Sequence, residues 1–300
     1  MTVSSVASQE SPLRESSQQG ANGAVRPADR NGTALDVGHG DSAPNVVRIA
    51  ILECDPLTPE EERVVGRPID WFSRLFRESS AKHLPHHTIS FSFDTFQTCI
   101  RGALPSPDQV PSYNACIITG SRANAFDTDP WIQDLKKFIR DNHERTRFVG
   151  VCFGHQVIAE AFGGKVGRMV GGWEIGRAEV KPVGELGSQV WGRDQLALLY
   201  AHQDHVELTP PGFSVLLSND RAPDHAQILG DRCLSVQAHP EYLAAQVAPI
   251  IDHLTSGDHG LDAAAASAAR AGMGLPVDDL YVGAKMVGFI LDGRKGMEAV

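Results

Sequence analysis

Residues 147–156, "RFVGVCFGHQ", place a cysteine between two glycines, at the point where an apolar strand pattern changes to a helical one. The pentapeptide Gly150-Val151-Cys152-Phe153-Gly154 has the small–x–nucleophile–x–small form of a nucleophile elbow. Such a turn strains the backbone of the nucleophile, and the glycines remove side chains that would otherwise collide. Because the helix dipole and free amides at a helix start favour the thiolate, this stretch predicts a reactive cysteine.

Strand and helix patterns alternate on both sides of this turn. Apolar or alternating stretches predict strands at 46–54, 88–96, 113–121 and 147–152, and helical spacing predicts helices at 58–79, 129–144 and 154–164. Shorter β signals fill 165–240, and 241–254 returns to a helical pattern. Alternation of this kind is typical of parallel strands joined by right-handed crossovers. We therefore expect an α/β fold, a doubly wound and mostly parallel sheet flanked by helices, with ligands bound beyond the carboxyl ends of the strands.

Composition divides the chain into three parts. Residues 1–45 hold no aromatic residue and are rich in Ser, Gln, Gly and Asn, which predicts a disordered tail. Residues 46–255 carry the alternating elements and form the predicted functional domain. Residues 256–300 include an alanine-rich run and are predicted to form a C-terminal helical extension, to which the sequence assigns no role.

Charge and cysteine usage exclude several classes of protein. A formal net charge of −10 argues against binding to nucleic acid, whose phosphates are held by clustered Lys and Arg. No apolar run reaches the length of a membrane span, and the N-terminus lacks the pattern of a secretory signal. The five cysteines are widely spaced and include no C-x-x-C, as expected for reduced thiols. We predict a cytoplasmic protein that contacts neither nucleic acid nor membrane.

A second motif supplies the base that a thiol nucleophile requires. In "SVQAHPEY" (235–242), His239 and Glu241 lie two residues apart, so they project from the same face of an extended chain. Pro240 fixes its own φ and holds His239 in the β region. We expect His239 to take the thiol proton and Glu241 to orient its imidazole. His155 is a rival base, but helix geometry should direct it away from the sulfur.

The two motifs together resemble the class I, or triad-type, glutamine amidotransferase family. The resemblance rests on Cys-Phe-Gly-His-Gln at 152–156 and His-Pro-Glu at 239–241, and it covers about 46–255. Finer features resemble the γ-glutamyl peptidase and GMP-synthase-like branch of that family. They are "ITGSRANAFDTDPWI" (118–132), "GGKVGRMVGGWEIG" (163–176) and "AHQDHVELTPPG" (201–212).

The resemblance implies a flavodoxin-like fold and cleavage of a γ-glutamyl amide through a γ-glutamyl thioester on cysteine, without any cofactor. It implies that Gly120, beside Ser121 and Arg122, heads a loop that shares the oxyanion with the Phe153 amide. By the same resemblance, the glutamyl group is held by Gln156 and by a segment that contains His202, Gln203 and Asp204. Trp173 and Glu174 are expected either to form the pocket wall or to pack at the start of a strand.

Three functions are compatible with these motifs. The peptidase-like features favour water as the acceptor and a γ-glutamyl peptide or glutathione conjugate as the small-molecule substrate. Alternatively, the protein is a glutaminase subunit that delivers ammonia to a separate synthase. A catalytically silent domain that binds a partner is the third possibility, although such a domain should lack part of the triad. A cysteine peptidase of general specificity, or a glyoxalase-like or chaperone-like relative, would usually lack the His-Pro-Glu string.

Two further patterns are weaker. "GGKVGR" (163–168) suggests a phosphate loop, but no Gly-Lys-Ser/Thr follows, and a turn is expected instead. His202-x-x-His205, with Asp204, suggests metal ligands, but the sequence signals no third ligand with supporting residues. We therefore predict no metal.

Overall fold

The computed structural model describes residues 45–256 and 261–300, so residues 1–44 of the predicted tail lie outside the described part of the chain. The strands are β1 (Asn45–Glu53), β2 (Ile89–Gln97), β3 (Ala115–Ile118), β4 (Arg147–Val151), β5 (Lys165–Arg168), β6 (Glu174–Pro182), β7 (Leu196–His202), β8 (Asp204–Leu208), β9 (Ser214–Ser218), β10 (Ala226–Leu229) and β11 (Cys233–Val236). The helices are α1 (Pro59–Val65), α2 (Pro68–His83), α3 (Thr98–Arg101), α4 (Pro130–Asn142), α5 (Phe153–Ala161), α6 (Gly184–Trp191), α7 (Ala244–Ser256), α8 (Ala263–Gly272) and α9 (Asp279–Glu298).

A nine-stranded sheet in the order β2-β1-β3-β4-β11-β10-β9-β6-β7 forms the centre of the fold. The five strands from β2 to β11 are parallel, and the strands beyond β11 continue the sheet in antiparallel pairs. Strands β5 and β8 form a separate antiparallel pair. This arrangement confirms the predicted α/β class. Because β3, β4 and β11 are parallel neighbours, their carboxyl ends meet at one edge of the sheet.

Both faces of the inner parallel strands β3, β4 and β11 are buried, which explains why these strands are almost continuously apolar. The edge strand β2 instead alternates apolar and polar residues. Ile49 and Ile51 of β1 pack in the cluster that contains the apolar residues of α2 and α9. Ala50 and Leu52 point to the opposite face and pack in the cluster that contains those of α4 and α5. This period of two is the expected geometry of a strand covered by helices on both sides.

The C-terminal helices belong to the same body as the sheet. Residues 261–300 are largely helical, and Val282, Met286 and Phe289 of α9 are fully buried in the core cluster shared with α2. The chain kinks at Asp292 and Gly293 within α9. Helix α9 therefore packs as part of the domain core. Among the described residues, no helix has the length and apolar character needed to cross a membrane.

Three predicted boundaries differ from the structure for local reasons. The single helix predicted at 58–79 is two helices, because Gly66 adopts a positive φ of 79° and Pro68 then opens α2. The helix predicted at 241–254 begins at Ala244, after a turn in which the Tyr242 amide donates to the His239 carbonyl. The stretch 163–168 was expected to be a turn, but 165–168 form β5, which pairs with β8.

Candidate active site

Cys152 lies at a strained corner between β4 and α5. Its φ is +53°, and within 45–256 and 261–300 no other non-glycine residue has a positive φ. A Cβ at position 150 would lie 2.4 Å from the carbonyl oxygen of Gly154, and a Cβ at position 154 would lie 2.2 Å from that of Ile118. Both glycines are therefore required by the close approach of backbone to backbone. A non-glycine residue held in this conformation is a sign of a functional position.

The corner fixes the cysteine within the sheet edge. The Cys152 amide donates to the Val236 carbonyl of β11 at 2.9 Å, and Cys152 is 6% exposed. Phe153 is the first residue of α5, so its amide has no acceptor within the helix. The buried Phe153 ring packs against Trp131 with their centroids 5.5 Å apart. The helix start is thus anchored beside the sulfur.

His239 reaches the same corner from the segment after β11. Its amide donates to the Leu199 carbonyl at 2.8 Å, and its imidazole lies beside the Cys152 side chain. A Cβ at Gly120 would lie 2.7 Å from His239 Cε1 and 3.7 Å from Cys152 Cβ. Residues that follow β3, β4 and β11 therefore converge at one point, as their parallel arrangement predicts.

Glu241 completes the arrangement from the other side of the imidazole. His239 Nδ1 lies 2.7 Å from Glu241 Oε1, and the two residues are 3% and 2% exposed. Burial would lower the pKa of His239, but the adjacent Glu241 carboxylate and Cys152 outweigh it and raise this pKa to about 10. At neutral pH the imidazole is charged. Because Nδ1 faces the carboxylate, Nε2 is left for the sulfur or a reacting group.

Two aromatic residues that the sequence analysis did not single out support this imidazole. The Tyr242 ring stacks on His239 with the centroids 4.1 Å apart and an interplanar angle of 4°. Trp71 of α2 meets Tyr242 edge-on at 5.4 Å, and its Nε1 donates to the Val65 carbonyl at 2.6 Å. The aromatic residue directly after Glu241 was the only sequence signal for this stack.

On the opposite side of Cys152, the cavity is lined by Gln156 and Asp204. Gln156 Nε2 donates to the Asp204 carbonyl at 2.8 Å and to Gln237 Oε1 at 3.0 Å. The Asp204 carboxylate pairs with Arg168 at 3.1 Å. Partial burial raises the pKa of Asp204, and Arg168 opposes this shift. Because both Nε2 hydrogens of Gln156 are engaged within the protein, the Asp204 carboxylate is the group of this pair that a polar ligand can use, as an acceptor.

His202 and Gln203 occupy the same wall in different ways. His202 is buried, with Nδ1 2.9 Å from the Asp204 carbonyl and Nε2 3.0 Å from Glu174 Oε2. Since both ring nitrogens are engaged inside the protein, the His202 side chain positions the wall. Gln203 is half-buried, and its carbonyl accepts from the Met169 amide at 2.8 Å.

The loop after β3 contains Gly120, Ser121 and Arg122, which all line the cavity. Ser121 Oγ accepts from the Ala123 amide at 3.1 Å. The Arg122 guanidinium turns toward the segment before and within α1, where it pairs with Asp55 at 3.0 Å and Glu61 at 2.8 Å. Its side chain therefore anchors that segment at the cavity mouth.

His155 is separated from the sulfur, as its helix position predicts. It is fully buried, its Nδ1 lies 2.9 Å from Ser235 Oγ, and its Nε2 lies 3.8 Å from Asp224 Oδ1. Burial lowers the pKa of His155 to about 3, so this imidazole is neutral at physiological pH. It belongs to a polar cluster beneath the site.

The residues of the motif His202-x-x-His205 do not form a common cluster in the structure. His202 does not meet His205; its neighbours are Glu174 and His225, and one ligand atom of each lies within 4.8 Å of the others. These groups are hydrogen-bonded by protein atoms. His225 Nε2 lies 2.8 Å from Asn219 Oδ1, and Asn219 Nδ2 donates to Glu174 Oε1 at 2.8 Å. The cluster is therefore a buried hydrogen-bonded network, in which burial lowers the pKa of His225 to about 4.

One cavity of about 590 Å³ contains Cys152, His239 and Glu241 together with Gln156 and Asp204. It extends from Gln156 and Asp204, past Cys152, to residues of α1, α2 and α7. Its size lies within the range of about 300–1,000 Å³ that is usual for small-molecule sites. A cysteine paired with a charged imidazole inside such a cavity can attack a bound carbonyl group.

Comparison with known proteins agrees with this geometry. The sequence profile of the family described as "Glutamine amidotransferase class-I" matches residues 104–249. A Saccharomyces cerevisiae protein, provisionally named a glutamine amidotransferase, is 34% identical over 66% of this chain and 79% of its own length. Gamma-glutamyl peptidase 5 of Arabidopsis thaliana is 32% identical over 55% of this chain and 67% of its own length. The chain belongs to the class I glutamine amidotransferase family.

A solved structure shares the fold. A glutamine amidotransferase from Thermotoga maritima superposes with a TM-score of 0.59 at 19% identity, over 83% of this chain and 97% of that one. At this identity the similarity establishes the fold alone.

Proposed function

We propose that the protein hydrolyses a γ-glutamyl amide bond through a γ-glutamyl thioester on Cys152, with His239 and Glu241 completing a catalytic triad. The observation that carries the proposal is the strained Cys152 beside a His239 that pairs with Glu241, all within one cavity. Membership of the family and similarity to γ-glutamyl peptidases support it.

Bond formation and cleavage follow from the charges of the resting site. The Cys152 thiolate attacks the γ-carbonyl carbon, and the oxyanion that develops accepts hydrogen bonds from backbone amides of Phe153 and the Gly120 loop. As the C–N bond breaks, protonated His239 gives its Nε2 proton to the leaving amine. The products of this step are a γ-glutamyl thioester, a free amine and a neutral imidazole.

Water completes the cycle. The oxygen of the water attacks the thioester carbonyl while His239 takes a proton from that water, and the C–S bond breaks. Glutamate leaves, and the thiolate and imidazolium are restored. Glu241 keeps Nδ1 protonated throughout, so that Nε2 exchanges the proton in both steps.

Recognition of the glutamyl group is assigned to the side of the cavity opposite His239. The Asp204 carboxylate and Gln156 are suited to the α-amino group, and backbone of the 201–204 segment, including Gln203, is suited to the α-carboxylate. The buried pair of His202 and Glu174 holds this wall in place. Arg168 positions the Asp204 carboxylate.

The cavity favours a substrate larger than glutamine. Beyond His239 it continues between α1, α2 and α7, which leaves space for a leaving group larger than ammonia. We therefore propose γ-glutamyl peptides or glutathione conjugates as substrates. A glutaminase that passes ammonia to a separate synthase is the second candidate, and family membership favours it.

Glutamate release from a substrate panel tests the proposal. Purified protein should release glutamate from glutathione, a γ-glutamyl dipeptide or glutamine, and Cys152→Ala should abolish the release. Cys99→Ala is the matched control, because Cys99 is half-exposed and does not line the active-site cavity. Unchanged turnover in Cys152→Ala would contradict the assignment of the nucleophile. Ammonia release that depends on an added synthase would favour the second candidate.

A further inference from the structure

The half of the cavity that would receive the leaving amine is lined by apolar and negatively charged side chains. This inference rests on the proposed function, in which His239 protonates the departing nitrogen. That nitrogen must therefore lie on the His239 side of the sulfur, away from Gln156 and Asp204. The residues around His239 on that side determine which amines fit.

These residues form a continuous wall that begins at the imidazole. Tyr242 stacks on His239, Trp71 contacts Tyr242, and the Val65 carbonyl accepts from both Trp71 Nε1 and Gln246 Nε2. The apolar side chains of this half are Leu57, Val65, Trp71, Tyr242, Ile250 and Leu254. Such a surface stabilises an apolar group by removing it from water.

The charge of this half is negative. Arg122 is the single Lys or Arg among the described residues that line the cavity. It pairs with two carboxylates, those of Asp55 and Glu61, and also donates to the Pro56 carbonyl at 3.0 Å. One negative charge therefore remains in excess beside the apolar wall. The charge of His239 is already matched by that of Glu241.

We propose that the enzyme selects γ-glutamyl amides whose amine portion is apolar and carries no carboxylate on the carbon bonded to the scissile nitrogen. A free carboxylate at that carbon would enter a cavity with excess negative charge and without a free guanidinium to pair with it. Like charges placed together at a binding site oppose association. An alkyl or aryl amide, or a γ-glutamyl residue followed by a further peptide bond, avoids this repulsion.

A matched pair of substrates isolates the carboxylate. γ-Glutamyl-phenethylamide and γ-glutamyl-phenylalanine share the same aromatic group, and only the second has a carboxylate beside the scissile nitrogen. We expect kcat/KM to be about tenfold higher for the phenethylamide, as expected for a like-charge contact near a protein surface. Equal values, or a preference for the dipeptide, would overturn the inference.

Two variants of α1 test the cause of that preference. Glu61→Gln removes the excess charge and keeps one of the two acceptor oxygens that Arg122 and the Thr58 amide now share. The ratio of kcat/KM for the phenethylamide to that for the dipeptide should therefore fall toward one. Glu60→Gln is the control, because Glu60 pairs with exposed Arg63 and does not line the cavity. An unchanged ratio in Glu61→Gln would contradict the assigned cause. If glutathione is hydrolysed but the phenethylamide is not, the inference fails alone; if no γ-glutamyl compound is hydrolysed, the proposed function fails with it.

Discussion

The two walls of the active-site cavity are built in different ways. Cys152, Gly120 and His239 follow the ends of β3, β4 and β11, whose residues are almost entirely buried. Opposite them, α1 has no buried residue and is held by polar contacts, chiefly those of Arg122. The groups that we propose to react thus lie at the ends of buried strands, and the groups that we propose to surround the leaving amine lie on an exposed layer. Changes in the first region should remove activity or stability, and changes in the second should alter substrate preference.

After loss of the Cys152 sulfur itself, Glu241→Gln should have the largest effect on catalysis. Gln has the size of Glu but cannot compensate the charge of the imidazolium, so kcat should fall by about ten-thousandfold, by analogy with the orienting carboxylate of other triads. Steady-state kinetics with a γ-glutamyl substrate measures this effect. Glu185→Gln, on the exposed face of α6, should leave kcat unchanged. A similar kcat in Glu241→Gln and the native protein would exclude an essential role for this carboxylate.

Gly154→Ala should be the most destabilising small substitution at the elbow. The added methyl group would lie 2.2 Å from the Ile118 carbonyl oxygen, so β3 and α5 would have to separate. We expect a loss of about 3 kcal/mol in the free energy of unfolding. Denaturant titration measures it, with Gly274→Ala as the control because nothing lies within 4 Å of the corresponding Cβ. Equal stability of the two variants would contradict the packing described for the elbow.

Asp224→Asn should change how stability depends on pH. Asp224 is fully buried, and burial raises the pKa of its carboxyl to about 7. A raised folded-state pKa means that stability is present below the unfolded value and is lost as pH rises through 7. Between pH 5 and pH 8 the native protein should therefore lose about 2 kcal/mol relative to the variant.

Unfolding titrations of both proteins at the two pH values provide the measurement. Asp220→Asn, at an exposed position nearby, should keep the native pH dependence. If Asp224→Asn has the native pH dependence as well, the Asp224 carboxyl does not titrate in this range.

Substitution of Tyr242 should lower kcat less than the other catalytic substitutions described above. Tyr242→Leu removes the ring that stacks on His239, and we expect kcat to fall by about fivefold, the value of one aromatic contact. Tyr242→Phe keeps the ring and should keep kcat. A shift in the pH profile of kcat in the Leu variant alone would show that the stack acts on the imidazole. Equal losses in both variants would assign the effect to the hydroxyl group instead.

The sequence predicted the parts of the site that depend on short local geometry. The elbow around Cys152 and the extended His239-Pro240-Glu241 segment each place their side chains through a few neighbouring residues, and parallel strands then bring them to one edge. The fold class followed from the same alternation. Contacts between distant segments were missed, because nothing local marks them.

The network of Glu174, His202 and His225 is one such case, since it joins β6, β7 and the segment before β10. The sequence suggested His205 as the partner of His202 because the two are close along the chain. Likewise, α9 is buried because it packs against apolar residues of α2, and this contact is known only from the tertiary structure.

Labelling with an electrophilic glutamine analogue tests the central claim most directly. The analogue carries a chloroketone in place of the γ-amide and should attach one glutamyl-like group to each chain. Mass spectrometry should find this group on the peptide that contains Cys152. Activity should be lost in proportion to the label, and Cys152→Ala should remain unlabelled. Labelling of a different residue with the same loss of activity, or full γ-glutamyl hydrolysis by the labelled protein, would contradict the account.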